Sequence, residues 1–448
     1  GGRPWVRPMG IFQAVPNMNQ LARYNSRYYI GMIRSKHFLS TRAVVVWLVL
    51  GIFLFSTCVG RRKEMAVAEP RVNLVAEKNM LVGSAACRDC HQQIYDDFVR
   101  TNHKATSAPA SIGTVKGSFD NGHNKFLFGE KDSVVMRSTD SGLYQMNFVG
   151  GRLQYAFPFD IVVGSGTKGQ SYLYWRENHL FQLAISYYTS ANSWSNSPGY
   201  TRYRAHFDRP IHSECMGCHG SFTDVDFNSG SMLEAYNPNT LVMGVNCERC
   251  HGPGGNHVEK YTRDPKAQGA TLVINAAHLS RLQQLDACGI CHASIYKMLN
   301  PAVSFKTGDT LAMVPMEGLD TLGRIDVHGN QYGMLKRSKC FEASATMTCS
   351  TCHDPHKAER GNEATFSQRC MSCHNEKNTD FARMNPSMPM EQIKLKCITC
   401  HMPNQESHTL NVRLEQNQAR TPAVMRSHLI RVYPDTIPSI SVLYKKSL

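Results

Sequence analysis

The sequence predicts a mainly α chain with much irregular structure, interrupted by one small antiparallel β insertion. Three observations predict it. Fourteen of the sixteen cysteines fall in seven copies of Cys-x-x-Cys-His, each the length of one helical turn. From Cys215 onward the copies follow at intervals of 32, 41, 61, 21 and 27 residues between first cysteines, too short for each segment to bury its own apolar core. Between Cys90 of the first copy and Cys215 of the second, 124 residues pass, and this stretch alternates apolar and polar side chains.

The copies are Cys87, Cys90 and His91; Cys215, Cys218 and His219; Cys247, Cys250 and His251; Cys288, Cys291 and His292; Cys349, Cys352 and His353; Cys370, Cys373 and His374; and Cys397, Cys400 and His401. Chance would supply about 0.02 of them in a chain of this composition. Two thiols three positions apart share one side of a helical turn, where each can add to one of the two vinyl groups of a single haem. The next histidine can then turn its imidazole onto the iron as proximal ligand. Zinc knuckles do not require a histidine directly after the second cysteine in every copy, and a thioredoxin-like pair does not recur seven times without its βαβ units. The motif therefore predicts seven covalently bound haem c groups. Their porphyrins fill the interior that the short segments cannot, a haem-packed multihaem cytochrome c.

Taken in order, residues 1–57 form a leader. Arg34, Lys36 and Arg42 precede the apolar run AVVVWLVLGIFLF at 43–55, whose thirteen residues suit a signal peptide better than a spanning helix of about twenty. Synthesis beginning at Met32 would give this signal a conventional length. Export is required, because haem is joined to the apoprotein on the far side of the energised membrane. Cys58 follows in FSTC, with Phe55 where a lipoprotein signal expects leucine, and is the candidate for lipidation. Arg61, Arg62 and Lys63 keep an uncleaved N-terminal helix as the alternative anchor.

Residues 58–115 carry motif 1, and 116–210 form the β-rich insertion. Its runs KFLF, SVVMRS, LYQMNFV, RLQYAF and IVV, separated by Gly and Asp turns, read as a meander within about 120–200. Residues 211–300 hold motifs 2 to 4 and 301–448 hold motifs 5 to 7. Cys340, outside any motif, reads as a buried free thiol.

The formal charge of +14 does not point to nucleic acid. The leader carries +7 of it, and seven haems bring about 14 propionate charges, so many Lys and Arg residues read as propionate partners.

Sixth ligands decide between passing electrons and binding substrate. Outside the motifs and the leader's His37, eleven histidines are available for seven positions: His103, His123, His179, His206, His212, His257, His278, His328, His356, His408 and His428. The 21 methionines carry no pattern that separates a ligand from core filler.

The segments CRDCHQQIYDDFVRTNHKATS, CERCHGPGGNHVE, SKCFEASATMTCSTCHDPH and CITCHMP resemble the multihaem cytochromes related to the tetrahaem electron carrier of ammonia oxidation. The resemblance covers most of residues 80–432. It implies that His103, His257, His328, His356 and His428 are distal ligands. His408 is a further candidate, and His212 competes with His123 for the last place.

The expected function is electron transfer between a membrane quinol-linked donor and a periplasmic or extracellular acceptor, a downstream cytochrome or reductase, by an exported and membrane-tethered protein with no catalytic residue. An oxidoreductase acting on a small nitrogen or sulfur compound at one five-coordinate haem is the alternative, although no Cys-x-x-Cys-Lys site of the kind found in some nitrite reductases is present. A subunit of a respiratory complex, or a protomer of a homo-oligomeric cytochrome filament, is the third reading.

Overall fold

The computed structural model describes residues 80–433, apart from 227–232, 270–271, 294–295, 299–303, 312, 316–324, 378, 380–387 and 416–418. The leader, its apolar run and Cys58 lie outside the described residues. Among the described residues, no helix is long and apolar enough to cross a membrane.

The chain opens with α1 (Ser84–Phe98), whose helical dihedrals break at His91, the last residue of motif 1. Strand β1 (Ser107–Pro109) leads into the β portion. Next comes a four-stranded antiparallel meander of β2 (Lys125–Phe128), β3 (Asp132–Thr139), β4 (Gly142–Val149) and β5 (Arg152–Pro158), in that spatial order. A second antiparallel sheet is built from β6 (Ile161–Val163), β7 (Gly169–Arg176), β8 (His179–Gln182), β9 (Ile185–Tyr188), β10 (Ser193–Asn196) and β11 (Arg209–Pro210), with β1 on its edge.

The period-two pattern decides what each meander strand buries. On β2 and β3 the alternate residues Phe126, Phe128, Val134 and Met136 are fully buried, and they pack with Tyr172, Phe181, Leu183, Ile185 and Trp194 of the second sheet in one apolar cluster. Gln145, also fully buried, ties the layers together. Its carboxamide donates to the Ile185 carbonyl at 2.7 Å and accepts from the Ile185 N–H at 3.0 Å, so no polar group is stranded there. Trp194 donates its indole N–H to Ser118 O at 2.8 Å. The β portion thus has a core of its own.

The motif-bearing remainder has only small apolar clusters, such as Leu285, Ala293, Tyr332 and Phe341. Its helices are α2 (Ser213–His219), α3 (Cys247–His251), α4 (Gly255–Arg263), α5 (Arg281–His292), α6 (Gln331–Lys336), α7 (Lys339–Ala343), α8 (Glu363–Met371), α9 (Met390–Lys394) and α10 (Cys397–His401). The hairpin Asn404–Arg413 with Arg420–Arg426 lies against the β portion, where Lys168 Nζ donates to Val424 O at 2.8 Å and the Arg413 N–H to Asn196 Oδ1 at 2.7 Å.

Candidate functional site

The motifs lie on helical turns, and in four of them the histidine stands where the helix stops, whereas His91 of motif 1 stands at the kink in α1. Helices α2, α3, α5 and α10 end on His219, His251, His292 and His401. Cys349 opens a single 3-10 turn with His353 just beyond it, and α8 ends one residue after Cys370. One turn sets the two thiols of a motif on one side, and the helix end frees the imidazole to leave the helical path. Every described cysteine is a free thiol, the form that thioether addition needs.

Motif histidines meet non-motif histidines. The ring centres of His91 and His257 are 6.5 Å apart, of His251 and His356 6.0 Å, of His353 and His428 6.2 Å, and of His292 and His103 6.4 Å. The first three pairs are within 25° of parallel, and the fourth is crossed at 69°. His328 lies close enough to His219 for its charge to depress the His219 pKa. A histidine–metal bond of about 2.0 Å, with about 1.1 Å from nitrogen to ring centre on each side, puts two imidazoles that share one metal about 6.3 Å apart. All four measured separations match that spacing, and rings on a common axis can be parallel or crossed. The residues therefore fit haem iron held between two histidines.

The electrostatics agree. Burial is the main cause that pushes His103, His219, His292, His328, His353 and His356 below the usual imidazole range, and it takes His428 down to about 4. Such rings are neutral near pH 7 and offer a lone pair. Three motif histidines have Nδ1 engaged: that of His251 donates to Ile274 O at 2.8 Å and that of His401 to Arg431 O at 2.9 Å, while that of His292 lies 3.2 Å from Gln331 Oε1. These contacts set the tautomer that leaves Nε2 free for a metal.

The motifs abut one another. Cysteines of different motifs are neighbours: Cys87 of Cys247, Cys218 of Cys291, Cys288 of Cys349, and Cys370 of Cys397. Motif 3 holds its neighbours through the two residues between its cysteines. Glu248, 3% exposed, accepts from the backbone N–H groups of Val82, Gly83 and Gly254, each at 2.9 Å. Arg249 donates to Gly217 O in motif 2 at 3.2 Å and to Phe305 O at 2.8 Å. Farther along, Arg369 joins motifs 5 and 6 by donating to Cys352 O at 2.6 Å, and Ser367 Oγ donates to Leu395 O at 3.0 Å beside motif 7.

The remaining candidate histidines stand elsewhere. His212 caps α2 with Nδ1 3.4 Å from Glu234 Oε1. His408 is exposed on the C-terminal hairpin, where its N–H donates to Asp326 Oδ2 at 2.5 Å. His123 lies in the β portion near Glu415. His374 is exposed past the end of α8. Cys340, half-buried beside motifs 5 and 6, has its thiol raised chiefly by burial. Sequence reasoning missed Glu248, Arg249 and Gln331, whose side chains position the motifs. The charged pair inside Cys-Glu-Arg-Cys was the available signal, since neither charge would ordinarily be buried.

Comparison with known proteins adds three findings. The family model for cytochrome c554 and c-prime matches residues 171–252, which contain motifs 2 and 3. The multiheme cytochrome MtrA of Shewanella baltica (strain OS185) is 27% identical over 187 residues, 36% of this chain and 52% of the relative, so the match spans about half the length of that protein. The crystal structure of the outer cell wall cytochrome OcwA aligns over 78% of this chain and 79% of its own at 16% identity, with a TM-score of 0.46. The family match and the MtrA match agree with the motif chemistry in likening this chain to multihaem c-type cytochromes, whose haem is covalently bound.

Proposed function

We propose that the chain is a heptahaem c-type cytochrome that relays electrons between a membrane quinol-linked donor and a periplasmic or extracellular acceptor. The observation that carries this reading is the set of four proximal–distal histidine pairs with ring centres 6.0–6.5 Å apart. Haem supplies a one-electron ferric–ferrous couple at each site. His257, His356, His103, His428 and His328 close the open faces opposite His91, His251, His292, His353 and His219, which excludes substrate from those five irons. The cysteines of each motif fix the porphyrin edges. Cys87 lies beside Cys247, Cys218 beside Cys291, Cys288 beside Cys349 and Cys370 beside Cys397, so that the porphyrin edges of motifs 1 and 3, 2 and 4, 4 and 5, and 6 and 7 are adjacent. Much of the interior between these helices is then porphyrin, and the fold is mainly α with an antiparallel β insertion. The protein is exported, by the leader at 1–57, and tethered through acylated Cys58 or an N-terminal helix. Its acceptor is a downstream cytochrome or reductase.

A second reading is reduction of a small nitrogen or sulfur compound at one five-coordinate haem. The exposure of His374 favours motif 6 as its location. Haem content per chain by alkaline pyridine spectroscopy, followed by ferric EPR and carbon monoxide binding, tests both. Seven low-spin haems and no carbon monoxide adduct support the relay. A haem count other than seven refutes the heptahaem reading, and a high-spin signal with an adduct gives the second reading its site.

A further inference from the structure

We infer that motif 2, with Cys215, Cys218 and His219, holds the highest-potential haem of the array, set by a histidine whose second nitrogen has no protein acceptor. This rests on the heptahaem reading and adds an order to it. Ligating histidines ordinarily donate the second ring N–H to a carbonyl, a carboxylate or water, which makes the ligand more basic. A basic imidazole stabilises ferric over ferrous iron and lowers the potential. His251, His292 and His401 each have such an acceptor, at 2.8, 3.2 and 2.9 Å. The Nδ1 of His219 is buried and has no hydrogen-bond partner among the described residues. The backbone that carries the ring is held in place. His219 closes α2, its carbonyl accepts from Thr106 Oγ1 at 3.1 Å and Ser107 Oγ at 2.5 Å, and Gly220 pairs at once with Met243.

A second observation acts in the same direction. The Arg249 guanidinium, 8% exposed, donates to Gly217 O inside motif 2. A buried cation there stabilises the more negative, reduced state. Two carboxylates oppose it near Cys215. Glu214 is exposed and screened by water, and Glu234 is already engaged by the Ser213 N–H at 2.5 Å and by His212. In motif 3 the same Arg249 sits next to buried Glu248, which offsets its charge, and His251 has its acceptor. Arg369, which donates to Cys352 O in motif 5, is likewise offset, by Glu359, so among the motifs compared the raising effects combine at motif 2, which would be the first site to fill as electrons arrive.

The test is a reductive titration of the full-length holoprotein with dithionite, one electron per haem, followed by visible and EPR spectra. His328→Met, which changes the ligand facing His219, marks the step that belongs to motif 2. The expected result is that the first wild-type step to reduce is the one that moves. A marked step that falls later in the sequence overturns the inference. Gln331→Leu, which removes the acceptor of His292 Nδ1, is the second variant, and it should move one lower step upward. Unchanged steps in Gln331→Leu would overturn the argument from Nδ1 even if His328→Met does not mature. Failure of the underlying reading looks different: there would be fewer than seven reversible one-electron steps, whatever their order.

Discussion

Glu248→Gln is the substitution whose cost can be worked most directly from the geometry. The carboxylate is nearly water-free and accepts three backbone N–H groups at 2.9 Å, from Val82 and Gly254 on Oε1 and from Gly83 on Oε2. Glutamine is almost the same size, so packing is unchanged. Its carbonyl oxygen can keep Val82 and Gly254, but its NH2 group then faces the Gly83 N–H, donor against donor. A hydrogen bond to a charged group is worth about 1.5–3 kcal/mol, and an orphaned buried donor costs about 1–3 kcal/mol. One bond is lost, a donor is orphaned and two bonds lose their charge, so the variant should be about 3 kcal/mol less stable. Guanidinium unfolding of the holoprotein, followed by near-UV dichroism, measures the change. The damage should also be local, with faster proteolysis near residues 80–84 than in the β portion. A loss below about 1 kcal/mol would refute the reasoning, because it would mean that the three contacts are replaceable by water.

Three further predictions follow from single contacts. His428→Ala removes the ring 6.2 Å from His353 and should convert about one seventh of the iron from low to high spin, reversed by added imidazole; EPR reads both changes. Burial alone would raise the Asp326 carboxyl, but hydrogen bonds from His328, Ser407, His408 and Thr409 outweigh it and hold the pKa below the usual range. A depressed folded value means stability that is complete above the unfolded carboxylate pKa of about 3.9 and is lost as pH falls through the folded one. Exchange of the His408 and Thr409 amides should therefore accelerate below about pH 4, and Asp326→Asn should abolish that dependence. Gly117→Ala should cost about 1–3 kcal/mol of β-portion stability by thermal unfolding, since its Cβ would run into the indole of Trp194, which is held by the bond to Ser118 O.

The β portion and the motif helices were legible in the sequence for different reasons. KFLF, SVVMRS and LYQMNFV alternate because one face of each strand is buried, and they are strands at 125–128, 132–139 and 142–149. The positions of Cys and His in the motifs follow from the chemistry of one helical turn. The partners of these histidines were harder to read. His103 follows motif 1 but meets His292 of motif 4, and His356 follows motif 5 but meets His251 of motif 3. Nothing in the spacing encodes that crossing, because it depends on how separate turns stack. His212, chosen for its nearness to Cys215, stands at the N-cap position of α2 with Nδ1 3.4 Å from Glu234 Oε1.

This crossing changes how the chain's organisation should be understood. A boundary near residue 300 separates motifs 2 to 4 from motifs 5 to 7 along the sequence, but the ring facing His251 comes from residue 356 and one whose charge acts on His219 from residue 328. His103, from before the β portion, reaches across it to motif 4. A segment between two such boundaries would keep its thiols and proximal histidines while losing the imidazoles that close its open faces. On the proposed heptahaem reading, the motif half is therefore one interlaced unit, in which the ligands do what an apolar core does elsewhere: they tie distant parts of the chain to a common centre. The β portion, with Trp194 and Phe126 fully buried and its layers joined through Gln145, needs no such ties. It can carry the long gap between motifs 1 and 2 because its strands bury one another, whereas the motif segments depend on ligands supplied from elsewhere in the chain.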